Sequence, residues 1–211
     1  MMRMLDLFSG LGGAVAPFRD RGHEVVTTDL EARFGCIVTG DIMDPHVVAR
    51  LKELGPYDFV WASPPCEAFS VAAIGHHWSP GYVPKTEHAV LSKRIVEHTL
   101  ALIDTLSPRF WAMENPRGML RKMPFMADLN RVTVTYCGYG DTRMKPTDLW
   151  GHFPPMMFRP MCSNGADCHE SAPRGSRTGT QGMANAADRA VVPYLLAEEF
   201  CIAIEEALEA T

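Results

Sequence analysis

The sequence is organised around one stretch, Trp61-Ala62-Ser63-Pro64-Pro65-Cys66-Glu67-Ala68-Phe69-Ser70. It closes an apolar run from Tyr57 to Ala62 that is typical of a short buried strand. Two consecutive prolines allow neither strand nor helix to continue, so the pattern predicts a stiff turn at the carboxyl end of this strand. Ligands bind at that edge in open α/β sheets. Cys66 is therefore a candidate nucleophile held as a thiolate, although a buried structural cysteine is the commoner role of a free thiol.

The composition is that of a globular protein with one substantial core. Its 211 residues are 46% hydrophobic and 21% charged, which is ordinary for this class. Six scattered cysteines do not resemble a disulfide framework and favour a reducing compartment. There is no run of 18 apolar residues and no charged-then-apolar leader, so we expect neither a membrane span nor a secretory signal. A net charge of −5 means that binding to nucleic acid would need a local basic patch.

A glycine-rich turn follows the first predicted strand, Arg3 to Leu7. The run Asp6-Leu7-Phe8-Ser9-Gly10-Leu11-Gly12-Gly13 leads into a helix-compatible stretch with Val15 and Phe18 on one face. Strand, glycine turn and helix are typical of the opening of a nucleotide-type α/β unit, in which glycines let the backbone approach a ligand. The third glycine of the dinucleotide fingerprint would fall on Val15, so that fingerprint is absent. A plain tight turn is the alternative.

Acidic residues stand at the ends of three successive predicted strands. Asp6 belongs to the first, Asp29 follows the strand Glu24 to Thr28, and Asp41 follows Cys36 to Thr39. A single acid in such a place is often only a cap. Three acids at one sheet edge fit a ligand that carries a nucleoside and a positive charge, which favours S-adenosylmethionine over NAD.

A second turn with an acid ends the predicted strand Phe110 to Met113, at Glu114-Asn115-Pro116-Arg117-Gly118. A helix predicted from about Thr86 to Leu106 precedes this strand. The order of elements brings Cys66 and Glu114 to neighbouring strand ends, although an exposed turn acid is the alternative for Glu114. The polar segment from Gly75 to Lys85 is predicted to remain a mobile loop over the site.

Taken in order, these turns resemble the motifs of the DNA (cytosine-5)-methyltransferase family. The glycine-rich turn resembles the family's S-adenosylmethionine loop. Pro65-Cys66 with Phe69-Ser70 resembles the family's Pro-Cys-Gln-x-Phe-Ser nucleophile motif, with Glu67 in place of Gln. Glu114-Asn115 matches the catalytic Glu-Asn motif, and Arg143 lies where the family's Gln-x-Arg-x-Arg motif supplies an arginine.

The resemblance implies an α/β fold, the Rossmann-like class I adenosylmethionine-dependent methyltransferase fold, with a mostly parallel sheet and helices on both faces. It implies methyl transfer from S-adenosylmethionine to C5 of a flipped-out cytosine in DNA, through a covalent bond between Cys66 and C6. Glu114 would bind N3 and the exocyclic amine of the base, and Arg143 would hold O2. A tRNA cytosine-5 methyltransferase and a catalytically silent DNA-binding homologue are the alternatives.

The resemblance also assigns the residues around the reacting groups. The implied catalytic residues are Cys66, Glu114 and Arg143. The implied cofactor-binding residues are Asp6, Phe8, Ser9, Gly10, Gly12, Gly13, Asp29, Asp41, Ile42 and Pro64. The implied substrate-binding residues are Ser70, Asn115, Lys145, Thr147, Arg174 and Arg177. The family's last motif, Gly-Asn-x-Val-Pro, is altered here because Arg189-Ala190 replaces Gly-Asn, although ordinary S-adenosylmethionine is still expected.

Three segments are predicted: residues 1–150 as the catalytic and cofactor-binding domain, 151–180 as a reduced target-recognition insert, and 181–211 as a closing segment with an amphipathic helix. In and near the insert, five cations form the predicted DNA-contacting patch, with a solvated loop surface as the alternative: Arg143, Lys145, Arg159, Arg174 and Arg177. So short an insert can read few base pairs, which leaves room for a separate recognition subunit. The reduced insert resembles compact phage-borne forms, including those of restriction–modification, and implies a cytoplasmic protein of a bacterial or phage-infected cell.

Cys162, Cys168 and His169 lie within eight residues of one another in the insert. These side chains are ligands that Zn²⁺ prefers, so a structural zinc site is one interpretation, with Cys137 or His152 as the fourth ligand. The spacing Cys-x5-Cys-His is not a standard zinc-finger pattern. Ordinary loop residues are therefore the alternative.

Overall fold

The computed structural model describes residues 1–71, 73–163, 165–171, 183 and 185–210. The strands found in these residues are β1 Arg3–Leu7, β2 Glu24–Asp29, β3 Val38–Thr39, β4 Phe59–Ala62, β5 Trp78–Ser79, β6 Val83–Pro84, β7 Phe110–Pro116, β8 Arg131–Thr135 and β9 Pro146–His152. The α-helices are α1 Ala16–Asp20, α2 Pro45–Glu53, α3 Ile74–His77, α4 Glu87–Leu106, α5 Ala186–Ala190 and α6 Tyr194–Glu209. Within the described residues, no helix is both long enough and apolar enough to cross a membrane.

A seven-stranded sheet in the order β3-β2-β1-β4-β7-β9-β8 forms the centre of the molecule. The first five strands of this order are parallel, and β9 runs antiparallel to both β7 and β8. The chain leaves β1 towards β2 on one side and returns to β4 on the other. This reversal creates a topological switch point between β1 and β4, where α/β sheets bind their ligands.

Helices cover both faces of the sheet, as the resemblance implies. On one face, Leu7 and Val60 of the sheet share a core with Leu51 of α2 and Val96 of α4. On the other face the core is formed between the sheet and helices α1 and α6, and it includes Met4, Phe18, Phe59, Trp61, Phe200 and Ile204. Because both faces are buried, the central strands consist of nearly continuous apolar residues.

The closing helix α6 completes the second face. The Phe200 ring lies 6.1 Å from the Phe59 ring and 5.3 Å from the Trp61 ring, measured between centroids. Beside this aromatic contact, Glu205 of α6 accepts hydrogen bonds from Arg21, which follows α1. The last segment of the chain therefore packs against the first helix, as its apolar spacing predicts.

Helix α4 agrees with the predicted helix within one residue at its start. The Thr86 hydroxyl accepts a hydrogen bond from the Ala89 amide at 3.2 Å, which caps the first turn. Ser107 ends the helix in the left-handed conformation. The prediction of a mobile loop from Gly75 to Lys85 is wrong, because this segment contains part of α3 and the antiparallel pair β5–β6.

Candidate active site

Two turns leave the sheet side by side at the switch point. Leu7 at the end of β1 is paired with Ala62 at the end of β4, and the Ser63 amide donates a 3.1 Å hydrogen bond to the Leu7 carbonyl. The glycine-rich turn continues from Leu7, and the proline turn that carries Cys66 continues from Ala62. A ligand held by the first turn therefore lies close to the second.

The glycine-rich turn requires glycine for two different reasons. Gly10 and Gly12 have φ of 50° and 77°, a left-handed conformation that other residues rarely adopt. Gly13 is instead limited by space, because a Cβ atom there would lie 2.7 Å from the Val192 carbonyl oxygen. Phe8, at the start of this turn, also has a positive φ of 66°, so the backbone bends sharply there.

The three predicted acids do line one edge of the sheet, but their environments differ. Asp6 is 1% exposed, and its carboxylate accepts a 2.7 Å hydrogen bond from the Ser9 hydroxyl. Burial raises the pKa of Asp6 to about 7, with the Ser9 hydrogen bond opposing the shift. Asp29 accepts from the Gly10 amide at 2.9 Å, and the exposed Asp41 accepts from the Met43 amide at 2.9 Å. Asp29 and Asp41 therefore also stabilise turns.

This edge suits the chemistry of S-adenosylmethionine. A buried carboxyl group such as Asp6 gains a favourable partner when a cation binds nearby. The Gly10 position leaves open space, since a Cβ atom there would meet nothing within 4 Å. The predicted residue Ile42 is buried at the same edge, where its carbonyl accepts a 2.8 Å hydrogen bond from His98 Nε2.

The Cys66 turn is compact and partly buried. It continues as a short 3-10 helix, Glu67–Phe69, in which the Phe69 and Ser70 amides both donate to the Cys66 carbonyl at 3.0 Å. Burial raises the pKa of the Cys66 thiol to about 11, while the positive charge of Lys145 opposes the shift. Desolvation of the sulfur therefore opposes the resting thiolate that the sequence predicts, and the nearby cation offsets only part of this effect.

The nucleophile turn is hydrogen-bonded directly to the end of β7 and to the segment that follows it. The predicted strand end at Met113 is wrong, because β7 continues to Pro116, so Glu114 and Asn115 belong to the strand and are paired with β9. The Asn115 side-chain amide donates a 2.9 Å hydrogen bond to the carbonyl of Pro64, and the Met119 amide donates at 2.7 Å to the carbonyl of Phe69. Asn115, which was predicted to bind substrate, is fully buried and joins β7 to the nucleophile turn. Ser70, also predicted to bind substrate, is partly exposed and its hydroxyl donates to the Glu67 carbonyl at 3.2 Å.

Glu114 lies in a buried pocket with two neighbours. Its side chain is held by the Tyr136 hydroxyl, which donates to Oε1 at 2.7 Å, and the Lys145 ammonium lies 3.6 Å from the same oxygen. The ammonium also lies 4.4 Å from the centroid of the Tyr136 ring. Burial, together with the charge of Glu114, raises the pKa of Tyr136 well above 10, so its hydroxyl remains a donor. Tyr136 was missed in the sequence, where it is one aromatic residue among many.

Arg143 has a different role from the one predicted. It is 4% exposed, and its guanidinium pairs with Asp141 and donates to the carbonyls of Asp188, Arg189 and Val191. These contacts use all five N–H groups, which leaves none to hold O2 of a base. The cation beside Glu114 is instead Lys145. Thr147, a predicted substrate residue, is fully buried and donates to the Lys145 carbonyl at 3.1 Å.

Each described cation of the predicted basic patch lies beside an acidic side chain of the same chain. Arg143 pairs with Asp141, Lys145 lies beside Glu114, and Arg159 pairs with Glu199 at 2.7 Å. Arg174 and Arg177 lie outside the described residues. The three described cations thus serve internal contacts, and an ion pair of this kind leaves little net charge for phosphate.

The three predicted metal ligands lie close together in the structure. One of the two candidates for the fourth ligand lies beside them. Cys162, Cys168 and His169 lie with Cys137 in a group whose ligand atoms are all within 4.8 Å of one another. His152 does not take part, since its ring stacks on Phe110 with 5.8 Å between centroids.

Comparison with known proteins identifies the family. No family model matches the chain. The Probable DNA (cytosine-5)-methyltransferase of Frog virus 3 (isolate Goorha) is 30% identical in an alignment of 155 residues that covers 71% of this chain and 70% of that protein. The chain belongs to the DNA (cytosine-5)-methyltransferase family.

Solved structures place this family member in the class I methyltransferase fold. The methyltransferase EhMeth of Entamoeba histolytica has a TM-score of 0.53 at 10% identity, covering 75% of this chain and 55% of its own. A protein of an Escherichia coli prophage, described as a DNA modification methyltransferase, has a TM-score of 0.50 at 17% identity, covering 76% and 52%. The chain thus spans about half the length of both, and the likeness at these identities is one of fold.

Proposed function

We propose that this family member transfers a methyl group from S-adenosylmethionine to C5 of cytosine in DNA, through a covalent bond between Cys66 and C6 of the base. One observation supports this most directly. Cys66 follows the end of β4, Glu114 lies near the carboxyl end of the adjacent parallel strand β7, and the hydrogen bond from Asn115 to the Pro64 carbonyl ties the Cys66 turn to β7. The pair therefore faces one substrate ring as nucleophile and acid.

Glu114 lets the ring accept the electron pair of the new bond. C5 of cytosine is a poor nucleophile, and addition of a thiolate at C6 makes C5 electron-rich. During this addition, a proton shared between Glu114 and N3 neutralises the negative charge that develops on the ring. The Tyr136 hydroxyl and the Lys145 ammonium hold the carboxyl group in place for this task.

Cys66 must lose its proton before it can add to C6. With a pKa of about 11, it needs added positive charge or a proton acceptor when the ligands bind. S-Adenosylmethionine, when bound, supplies the methyl group and carries positive charge on its sulfonium. After the transfer, Cys66 leaves C6 with the pair of electrons of the C–S bond, because loss of the C5 proton to a base restores the aromatic ring.

Family membership and the name of the Frog virus 3 relative support DNA as the substrate. The target atom is inaccessible inside a duplex, so the base must be flipped out of the stack. Two of the described cations near the site, Lys145 and Arg159, are paired within the chain. This pairing supports a contribution to DNA binding from a separate recognition subunit or from residues outside the described part.

Methyl transfer can be tested with tritiated S-adenosylmethionine on duplex DNA, single-stranded DNA and tRNA in parallel. The wild type is compared with Cys66→Ala, and with Cys201→Ala as a control that removes the buried cysteine of α6, outside the Cys66 turn. We expect label in 5-methylcytosine of DNA, lost in Cys66→Ala and retained in Cys201→Ala. Label in tRNA alone would replace DNA with RNA as substrate. Absence of label in all three polymers would overturn the proposal.

The covalent step has its own test, on DNA that carries 5-fluorocytosine. Fluorine at C5 cannot leave as a cation, so the bond between Cys66 and C6 persists after the methyl group is transferred. We expect a denaturation-resistant complex with the wild type, with the DNA attached to the peptide that contains Cys66. A complex of equal yield with Cys66→Ala would rule out this nucleophile.

A further inference from the structure

Four potential metal ligands meet between the insert and the turn that follows β8. Cys162 Sγ lies 3.2 Å from Cys168 Sγ, and each of these sulfur atoms lies 3.6 Å from His169 Nδ1. Cys137 Sγ completes the group, in which all ligand atoms are within 4.8 Å of one another. All four cysteine and histidine side chains are of the kind that binds transition metals, and no carboxylate is among them.

We propose that Cys137, Cys162, Cys168 and His169 hold a structural Zn²⁺ in a tetrahedral Cys₃His site. Zinc binds thiolate sulfur at about 2.3 Å and imidazole nitrogen at about 2.0–2.1 Å. Corners of such a tetrahedron are roughly 3.5–3.8 Å apart, close to the separations of 3.2 and 3.6 Å between these ligand atoms. With all four positions filled by protein, the site is closed to substrate, as structural zinc sites are.

Charge and protons balance in this site. Each of the three thiols releases its proton to solvent when the metal binds, so three thiolates and one neutral imidazole surround a dication with a net charge of −1. A disulfide between Cys162 and Cys168 is the competing state of the same atoms. Both cysteines are free, and their sulfur atoms lie 3.2 Å apart, compared with about 2.05 Å in a disulfide.

The insert lacks regular secondary structure in its described residues, and a bound metal ion would stabilise it. Residues 153–163 and 165–171 contain neither helix nor strand, and small segments without a core of their own are often held by a metal. Two backbone contacts already direct this segment to the same place. The Cys162 amide donates to the Thr135 hydroxyl at 2.9 Å, and the Glu170 amide donates to the Thr142 carbonyl at 2.8 Å.

The metal would anchor the insert beside the active site. Cys137 directly follows Tyr136, the residue whose hydroxyl binds Glu114, in the 3-10 turn Tyr136–Tyr139. The other three ligands belong to the insert after β9. A bound ion therefore fixes the insert to the turn that positions the catalytic acid, which gives the reduced insert a defined orientation towards a substrate.

Metal content gives the first test, by elemental analysis of protein purified without chelator and without a metal-binding tag. We expect about one zinc ion per chain in the wild type and at least a tenfold loss in Cys168→Ser, by analogy with other structural sites. Cys168 is exposed, so this change leaves packing intact. Cys36→Ser is the matched control, since Cys36 lies outside the group, and it should retain the zinc.

Cobalt gives a second test that does not depend on activity. Co²⁺ added to the metal-free wild type should produce intense near-ultraviolet absorption from thiolate-to-metal charge transfer and the visible bands of a tetrahedral ion. Cys137→Ser should reduce the charge-transfer band, which identifies the fourth ligand. A folded wild type that binds neither zinc nor cobalt, or that carries a disulfide between Cys162 and Cys168 when isolated under reducing conditions, would overturn the proposal.

Discussion

The Tyr136 hydroxyl donates a 2.7 Å hydrogen bond to Glu114 Oε1, and both side chains are almost fully buried. The two residues lie 22 positions apart in the chain and come from different elements, β7 and the turn after β8. Tyr136 therefore positions the proposed catalytic acid without being placed to contact the reacting atoms itself. Its removal should affect the rate of the chemical step more than the binding of DNA.

The Tyr136→Phe variant tests this relationship. It removes the hydroxyl and keeps the ring that packs against Lys145. Loss of a hydrogen bond to a charged group costs about 1.5–3 kcal/mol, so we expect kcat to fall about 10- to 100-fold with KM for DNA little changed. Single-turnover methyl transfer measures the step directly.

Tyr139→Phe is the matched control for that experiment. Tyr139 is a buried tyrosine of the same turn, and its hydroxyl accepts from the Arg159 amide rather than contacting Glu114. We expect its kcat to remain within about threefold of the wild type. Equal losses in the two variants would mean that Tyr136 acts only through the stability of the turn.

Alkylation of Cys66 should reveal its raised pKa. At pH 7 a thiol with a pKa of about 11 is ionised in about one molecule in ten thousand, so iodoacetamide should react slowly and about tenfold faster for each added pH unit. Lys145→Met should slow the reaction further, because the Lys145 charge lowers this pKa. Mass spectrometry of the Cys66 peptide gives the rate. Fast, pH-independent alkylation near pH 7 would instead indicate a resting thiolate.

Gly118→Ala should disrupt the contact between the Cys66 turn and the segment that follows β7. A Cβ atom at Gly118 would lie 2.2 Å from the Phe69 carbonyl oxygen, and relief of such overpacking typically costs about 1–3 kcal/mol. We expect a lower midpoint of thermal unfolding and, because the Cys66 turn must shift, a methylation rate reduced at least about tenfold. Gly75→Ala, whose Cβ would meet nothing within 4 Å, should change neither. Normal activity in Gly118→Ala would show that the two segments can separate without cost.

Asp6→Asn should remove a pH dependence of stability. The folded-state pKa of Asp6 is about 7 and the unfolded value 3.8, so the folded protein binds the proton more tightly and loses stability as pH rises through this interval. The loss is about 1.4 kcal/mol per pH unit. The free energy of unfolding of Asp6→Asn, relative to the wild type, should therefore increase between pH 4.5 and pH 7.

Urea unfolding at several pH values measures this difference without added ligand. Asp128→Asn is the control, because it removes one acidic side chain at an exposed position. A constant difference between Asp6→Asn and the wild type over the whole interval would show that Asp6 is ionised in the folded protein.

Local patterns in the sequence accounted for much of the catalytic framework. Two prolines end β4 before Cys66, and Pro116 is the last residue of β7, so the carboxyl ends of both strands are visible in the chain. Parallel strands must place their carboxyl ends at one edge, which brings Cys66 and Glu114 together. Helix α4 was equally predictable, because its apolar spacing and its cap are properties of neighbouring residues.

The sequence by itself therefore determined the α/β class, helix α4 and the strand ends that carry Cys66 and Glu114, since these depend on periodicity and turn chemistry over a few residues. Only the tertiary structure decided that burial raises the pKa of Cys66, that Arg143 is bound within the chain, and that Lys145 and Tyr136 surround Glu114. It also brought Cys137 to the three cysteine and histidine ligands of the insert. Burial and contacts between distant residues control these properties, and neither is encoded in local spacing.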